Sequence, residues 1–203
     1  MSEMKLEDNK DALVVIAHPD DETIWMGGTI ARNKKIDWTI FSLCRASDRD
    51  RAPKFKRVCE YYGAQSIIAD LDDESKLSLE KAKEETKKII LEKIDFNKFD
   101  YIFTHGANGE YGHERHIAVH LAIDELIKEK KINLETVFYF NYVKNKDNSL
   151  KPDSNSVINQ LLEKELSEKK RVVAEMYGYP LDGIDVRYCT NPEAFKKFIA
   201  YNL

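Results

Sequence analysis

Apolar positions in this chain fall into short, nearly continuous runs separated by longer stretches of mixed polarity. Residues 12–17 (ALVVIA) are uniformly apolar and rich in β-branched side chains, too short for a typical helix and followed at once by the polar HPDDE. That pattern predicts a strand buried on both faces, with its carboxyl end opening on polar residues. Similar runs predict strands at residues 38–43, 66–69, 101–104 and 136–142. The segments between several of them have the length and period of helices, predicted at 23–33, 53–62, 78–94, 113–130, 156–176 and 192–201. Strand and helix in alternation imply crossover connections, hence a single-domain, Rossmann-like α/β three-layer sandwich with a mainly parallel sheet, spanning residues 1–203. Residues 145–155 (NKDNSLKPDSN) read as a surface loop within that domain.

Composition narrows the partners. The 32 cations and 36 acids leave a net charge of -4, which argues against a nucleic-acid protein gripped through a basic face. No apolar run approaches the ~20 residues of a membrane span, and residues 1–10 lack the apolar segment of a signal peptide, so no transmembrane segment and a cytoplasmic location are expected. Cys44, Cys59 and Cys189 form no CxxC and leave one over, which fits buried apolar side chains better than disulfides or a cysteine zinc site. No Gly-rich phosphate loop of the GxGxxG or Walker type is present, so a nucleotide cofactor has no motif behind it.

The chemistry gathers at the carboxyl ends of two predicted strands, where ligands bind in open α/β sheets. His18-Pro19-Asp20-Asp21-Glu22 follows the first, although Asp20 or Asp21 could equally cap the following helix. The second cluster runs from His105 to His116 and on to His120, so four of the five histidines lie within sixteen residues. On a helix beginning near His113, His113, His116 and His120 share one face, but only the first turn reaches the crevice, and His120 reads as a packing residue. His105 is open to either role. Three ligands from His and Asp with a fourth position left for water describe a catalytic zinc site, and His18, Asp21 and His116 supply such a set with Asp20 free as a base. Two imidazoles favour zinc over magnesium.

AHPDDE at residues 17–22 and THGANGEYGHERHIAVH at residues 104–120 resemble the signature pair of the LmbE/PIG-L family of zinc-dependent N-deacetylases, which act on N-acetylglucosamine-type sugars and related amides. The likeness extends to RAPKFKRVCEYYG at residues 51–63 and LDDESKL at residues 71–77, and thins out beyond Val143. It implies His18, Asp21 and His116 as zinc ligands, Asp20 as general base, His113 as a residue stabilising the oxyanion or protonating the amine, and Arg51 as a substrate contact. Many members read HPDH where this chain has His113-Glu114-Arg115-His116, so an acidic partner of the first histidine is replaced by Arg115. The expected activity is a zinc hydrolase removing an acetyl group from an amino sugar or glycoconjugate. A zinc amidase for a non-sugar or thiol-conjugate amide, and a non-catalytic phosphosugar-binding protein in which HPDDE merely caps a helix, are the rivals. Residues 46–57 carry five cations (Arg49, Arg51, Lys54, Lys56, Arg57) against Asp48 and Asp50, a local excess that could receive a phosphate or equally be a solvated helix start. The sequence leaves the oligomeric state open, a homo-oligomer included.

Overall fold

The computed structural model describes residues 1–74, 76–132, 134 and 136–199. In chain order the elements are β1 (Ser2–Glu3), β2 (Asp11–Ile16), α1 (Asp21–Arg32), β3 (Asp37–Cys44), α2 (Arg51–Tyr62), β4 (Gln65–Leu71), α3 (Leu79–Lys93), β5 (Tyr101–Thr104), α4 (Gly109–Gly112), α5 (Glu114–Lys128), β6 (Thr136–Phe140), β7 (Tyr142–Lys144), β8 (Leu150–Pro152), β9 (Val157–Asn159), α6 (Glu163–Arg171), α7 (Ile184–Arg187) and β10 (Glu193–Ile199). The main sheet runs β1-β9-β10-β6-β5-β2-β3-β4. The pairs from β6 through β4 are all parallel, while β10 lies antiparallel between β6 and β9.

The run in β2 is apolar throughout because both of its faces are covered. Ala12, Val14 and Ile16 pack into a cluster with Trp25, Phe55 and Val172, whereas Leu13, Val15 and Ala17 join Ile90, Val119, Ile123 and Leu126 on the other side. These are the two helical layers expected around a parallel sheet. The chain proceeds from β2 outward through β3 and β4, then returns to β5 on the opposite side of β2. Strand order therefore reverses between β2 and β5, and a crevice opens beyond their carboxyl ends.

Three sequence expectations need correction. The segment from residue 192 is not a helix: described as far as residue 199, it contains β10, whose Phe195 pairs with Phe140 and Val157. Its period is ambiguous, and filling the gap between two strand edges decides it; residues 200–203 lie outside the described residues. The helix expected over 156–176 is preceded by β9, begins at Glu163 and ends in a wide turn over Val172–Met176. Residues 145–155 contain β8, which forms a hairpin with β7, so the strand expected over 136–142 is divided between two sheets. The three cysteines are buried and free, as read from the sequence. Among the described residues no helix is long and apolar enough to cross a membrane.

Helix α1 is broken at Met26 (φ -147°, ψ 19°), and the amides of Gly28 and Thr29 there turn to a carboxylate from the far strand β10. Glu193 accepts from the Gly28 amide (2.8 Å), the Thr29 amide (2.7 Å), the Thr29 hydroxyl (2.6 Å) and the Lys169 ammonium (2.8 Å). All four groups are sealed from solvent, and the carboxylate acts as a cap inside a helix.

Candidate active site

Register sets the site: Val15 pairs with Thr104, so the residues following β2 and β5 leave the sheet side by side. His18, Asp21 and His116 converge there. His18 Nδ1 lies 3.2 Å from His116 Nε2 and 3.2 Å from Asp21 Oδ2, and His116 Nε2 lies 3.4 Å from Asp21 Oδ2. Every other polar atom of the three is tied down. His18 Nε2 meets Asp73 Oδ1 at 2.7 Å, His116 Nδ1 meets Glu110 Oε2 at 2.6 Å, and Asp21 Oδ1 accepts from Trp25 Nε1 at 2.9 Å. If the outward nitrogens donate to their carboxylates, the inward ones carry lone pairs that face one another and an anion. Such a triangle calls for a cation. Bond lengths of ~2.0–2.1 Å in tetrahedral zinc sites imply donor atoms about 3.3 Å apart, which these separations match.

Charge in the metal-free protein tells the same story. Burial opposes protonation of His18, but Asp21 and Asp73 outweigh it and lift the imidazole to about 10. Burial would also raise Asp21, yet His116 and His105 hold it well below the usual carboxylate range. Without an ion, the two carboxylates thus draw a proton onto His18.

Asp20 occupies a strained backbone (φ 127°, ψ -28°), a region an L residue adopts only when its surroundings over-determine it. The holding group is Glu22, fully buried, whose Oε2 accepts from the Asp20 amide at 3.1 Å while Oε1 accepts from Tyr177 (2.8 Å) and Thr23 (2.6 Å). Neither aspartate caps α1 through its side chain, so the capping explanation of HPDDE fails. Asp20 Oδ2 instead receives Arg51 Nη1 at 3.1 Å and the Tyr179 hydroxyl, while Oδ1 has no hydrogen bond among the described residues. Burial and the neighbouring Asp21 charge push this carboxyl up to about 8, against the pull of Tyr179, His18 and Arg51. A divalent cation nearby would draw it back down.

His113 caps α5 rather than beginning it: its Nδ1 accepts from the Arg115 amide at 3.3 Å, which leaves the proton on Nε2. Its ring centroid stands 4.7 Å from that of His18 and 4.6 Å from that of His116, at the lining of the cleft. Burial first, then the charges of His116 and His18, push it down to about 4, so it is a neutral N–H donor. Arg115 does not take part. Its guanidinium turns away to the Asp72 carbonyl (2.7 Å) and carboxylate (3.1 Å) and the Leu77 carbonyl (3.2 Å), holding the loop after β4.

His105 borders the triangle: its Nε2 lies 3.0 Å from the Ala17 amide nitrogen and 3.4 Å from Asp21 Oδ2, and its Nδ1 meets Glu110 at 2.9 Å. It stacks on His116 with centroids 3.9 Å apart. His120 packs behind it, Nδ1 on the His105 carbonyl at 3.0 Å. Glu110, unremarked in the sequence, serves both imidazoles from a left-handed backbone (φ 57°), and the Gly106 amide donates to its second oxygen at 2.7 Å. Gly106 admits no side chain: a Cβ would stand 2.2 Å from the Phe140 carbonyl oxygen. Burial works against the ionised Glu110, but the two imidazoles dominate and hold it near 2.

The cleft above the triangle encloses about 240 Å³ and is lined by Asp20, Arg45, Arg51, Asp73, Tyr111, His113, Tyr179, Asp185 and Tyr188 among others. Tyr179 and Asp185 carry no signal in the sequence, and Asp73 enters there only as part of LDDESKL, without a role. Only Asp73, next to the carboxyl end of β4, followed the strand-end rule that located the rest.

Comparison with known proteins bears on the family and the fold. The model of a family described as PIG-L, GlcNAc-PI de-N-acetylase, matches residues 13–127. The fold is similar to that of N,N'-diacetylchitobiose deacetylase from Pyrococcus horikoshii (15% identity, TM-score 0.61, 94% of this chain and 84% of that one). It is also similar to the conserved protein TT1542 from Thermus thermophilus (17%, 0.65, 92% and 93%). The 4-carboxy-2-hydroxymuconate hydratase GalB from Pseudomonas putida KT2440 shares it as well (15%, 0.60, 96% and 99%). One fold thus carries a deacetylase and a hydratase, and the chemistry of this chain has to be argued from its site.

Proposed function

Since the chain belongs to the GlcNAc-PI de-N-acetylase (PIG-L) family, whose model matches more than half of it, we propose that it is a metal-dependent hydrolase that removes an acetyl group from the nitrogen of an amino sugar. The observation that carries this reading is the triangle of His18 Nδ1, Asp21 Oδ2 and His116 Nε2 at the floor of a cleft lined by His18, Asp21 and the Asp20 carboxylate, which keeps one oxygen free of hydrogen bonds among the described residues. These three residues are the proposed ligands, and two imidazoles with one carboxylate favour zinc. Asp73 and Glu110 orient the imidazoles from behind. When bound, a divalent ion supplies Lewis acidity, lowering the pKa of a water and polarising the amide carbonyl.

The chain's own residues do the rest. Asp20 takes a proton from the attacking water through Oδ1, its other oxygen fixed by Arg51 and Tyr179. The water oxygen joins the amide carbon, and His113 Nε2–H donates to the oxygen that becomes negative. When the carbon–nitrogen bond breaks, the proton held on Asp20 passes to the departing amine and acetate remains. Arg51 is also the proposed contact for the substrate at the cleft wall. A sugar-sized substrate suits a cleft of about 240 Å³.

Incubation with a panel of N-acetyl sugars, reading released primary amine, tests the activity. Amine should appear, vanish with chelator and return with zinc; a metal-loaded protein that releases none from any member would reject the reading.

Two finer outcomes follow from the geometry. His113→Ala should lower kcat by ~10²–10³, the usual loss for one oxyanion donor, with KM and metal content little changed. Because His113 is held neutral, the alkaline limb of the pH profile should survive in the variant; its disappearance would make His113 a proton donor instead. Metal uptake should release the proton that Asp21 and Asp73 hold on His18, so between about 8 and about 10 the apparent affinity should rise about tenfold per pH unit, and more steeply below about 8, where Asp20 also gives up a proton. Competition titrations against a chelator at several pH values measure that slope, and a flat dependence would exclude His18 as a ligand.

A further inference from the structure

The charges around the cleft are already spent. Its lining carries four carboxylates, Asp20, Asp21, Asp73 and Asp185, and two guanidiniums, Arg45 and Arg51. Each guanidinium already faces a carboxylate: Arg51 donates Nη1 to Asp20, and Arg45 donates Nε to Asp73 at 2.8 Å with Asp48 at 3.7 Å. Lys54, from the basic segment that suggested a phosphate site, pairs with Asp50 at 2.7 Å. A divalent ion brings the lining to neutrality and leaves no surplus cation. Asp185, at the start of α7, lines the cleft and makes no side-chain hydrogen bond or ion pair among the described residues. Beside it stands an aromatic wall, Tyr188 stacked on Tyr111 with centroids 4.9 Å apart and planes 26° apart. Aromatic faces with carboxylate acceptors suit the C–H faces and hydroxyl donors of a sugar. A phosphate would instead meet the carboxylates of Asp185 and Asp73, while the charges of Arg45 and Arg51 are each already balanced by an aspartate.

Resting on the deacetylase reading, we infer that the substrate is an uncharged N-acetylated glycoside, seated against Tyr111 and Tyr188, and that Asp185 turns away phosphorylated and nucleotide-linked sugars. Asp185 and Tyr188 lie beyond the family-matched residues 13–127, whereas Asp73 and Tyr111 lie within them.

The test compares kcat/KM of the zinc-loaded protein for methyl N-acetyl-β-glucosaminide, N-acetylglucosamine 1-phosphate and UDP-N-acetylglucosamine. The neutral glycoside should lead both anions by about tenfold or more at low salt, with the gap narrowing as ionic strength rises. Asp185→Lys should bring the ratio toward one, chiefly through KM for the anions, and the near-isosteric Asp185→Asn should move it the same way by a smaller factor. Anions that match or exceed the neutral glycoside, or a ratio that neither variant shifts, overturn the selectivity while leaving deacetylation intact. Absence of amine from all three sugars overturns the deacetylase reading and this inference with it.

Discussion

Asp20→Asn should lower turnover by ~10²–10⁴, the range for a lost general base, while the purified protein keeps its full metal content. The separation comes from how two adjacent carboxylates point. Asp21 sends Oδ2 toward His18 and His116 and anchors Oδ1 on Trp25, whereas Asp20 points to Arg51 and Tyr179 and leaves Oδ1 free. Asparagine keeps the size and one oxygen for the Arg51 contact but cannot take the proton. Asp21→Ala should instead lose the metal as well, because it removes one corner of the triangle. Elemental analysis beside steady-state rates distinguishes the two, and normal turnover in Asp20→Asn would transfer the role of base to another group.

Glu193→Ala should cost about 3–5 kcal/mol of stability, the usual penalty for breaking a buried ion pair by removing one partner. Lys169 would be left as a buried ammonium, and the Gly28 and Thr29 amides would lose their acceptor at the break in α1. Against a typical total of ~5–15 kcal/mol that is a large share. Urea denaturation followed by circular dichroism gives the value. Glu193→Gln, which keeps oxygen and shape but not the charge, should lose less; equal stability of the alanine variant and the parent would mean that the network contributes nothing net.

Much of this molecule is legible in one dimension. The run of residues 12–17 announces a strand covered on both faces, and its polar sequel locates the crevice, because in a parallel sheet all carboxyl ends point the same way. His18, Asp20, Asp21 and His116 could be picked out for that reason. What escaped depends on distance along the chain: Asp73 reaches His18 across 55 positions, and Tyr179 reaches Asp20 across 159. No local period encodes such meetings. The segment EAFKKFI fits either period, with apolar Phe195 and Phe198 around two lysines, and only the vacancy between β6 and β9 settles it as a strand.

The position of β10 also sets a timetable. A ribosome delivers β6 well before β10, and at ~5–20 residues per second the parallel half of the sheet waits seconds with one edge of β6 unpaired and the break in α1 lacking its acceptor. Unfilled strand edges invite pairing with other chains. The nascent polypeptide is therefore most exposed to aggregation just before residue 193 emerges, so slower initiation or a chaperone that shields β6 should raise the yield of native protein more than any change made after synthesis is complete.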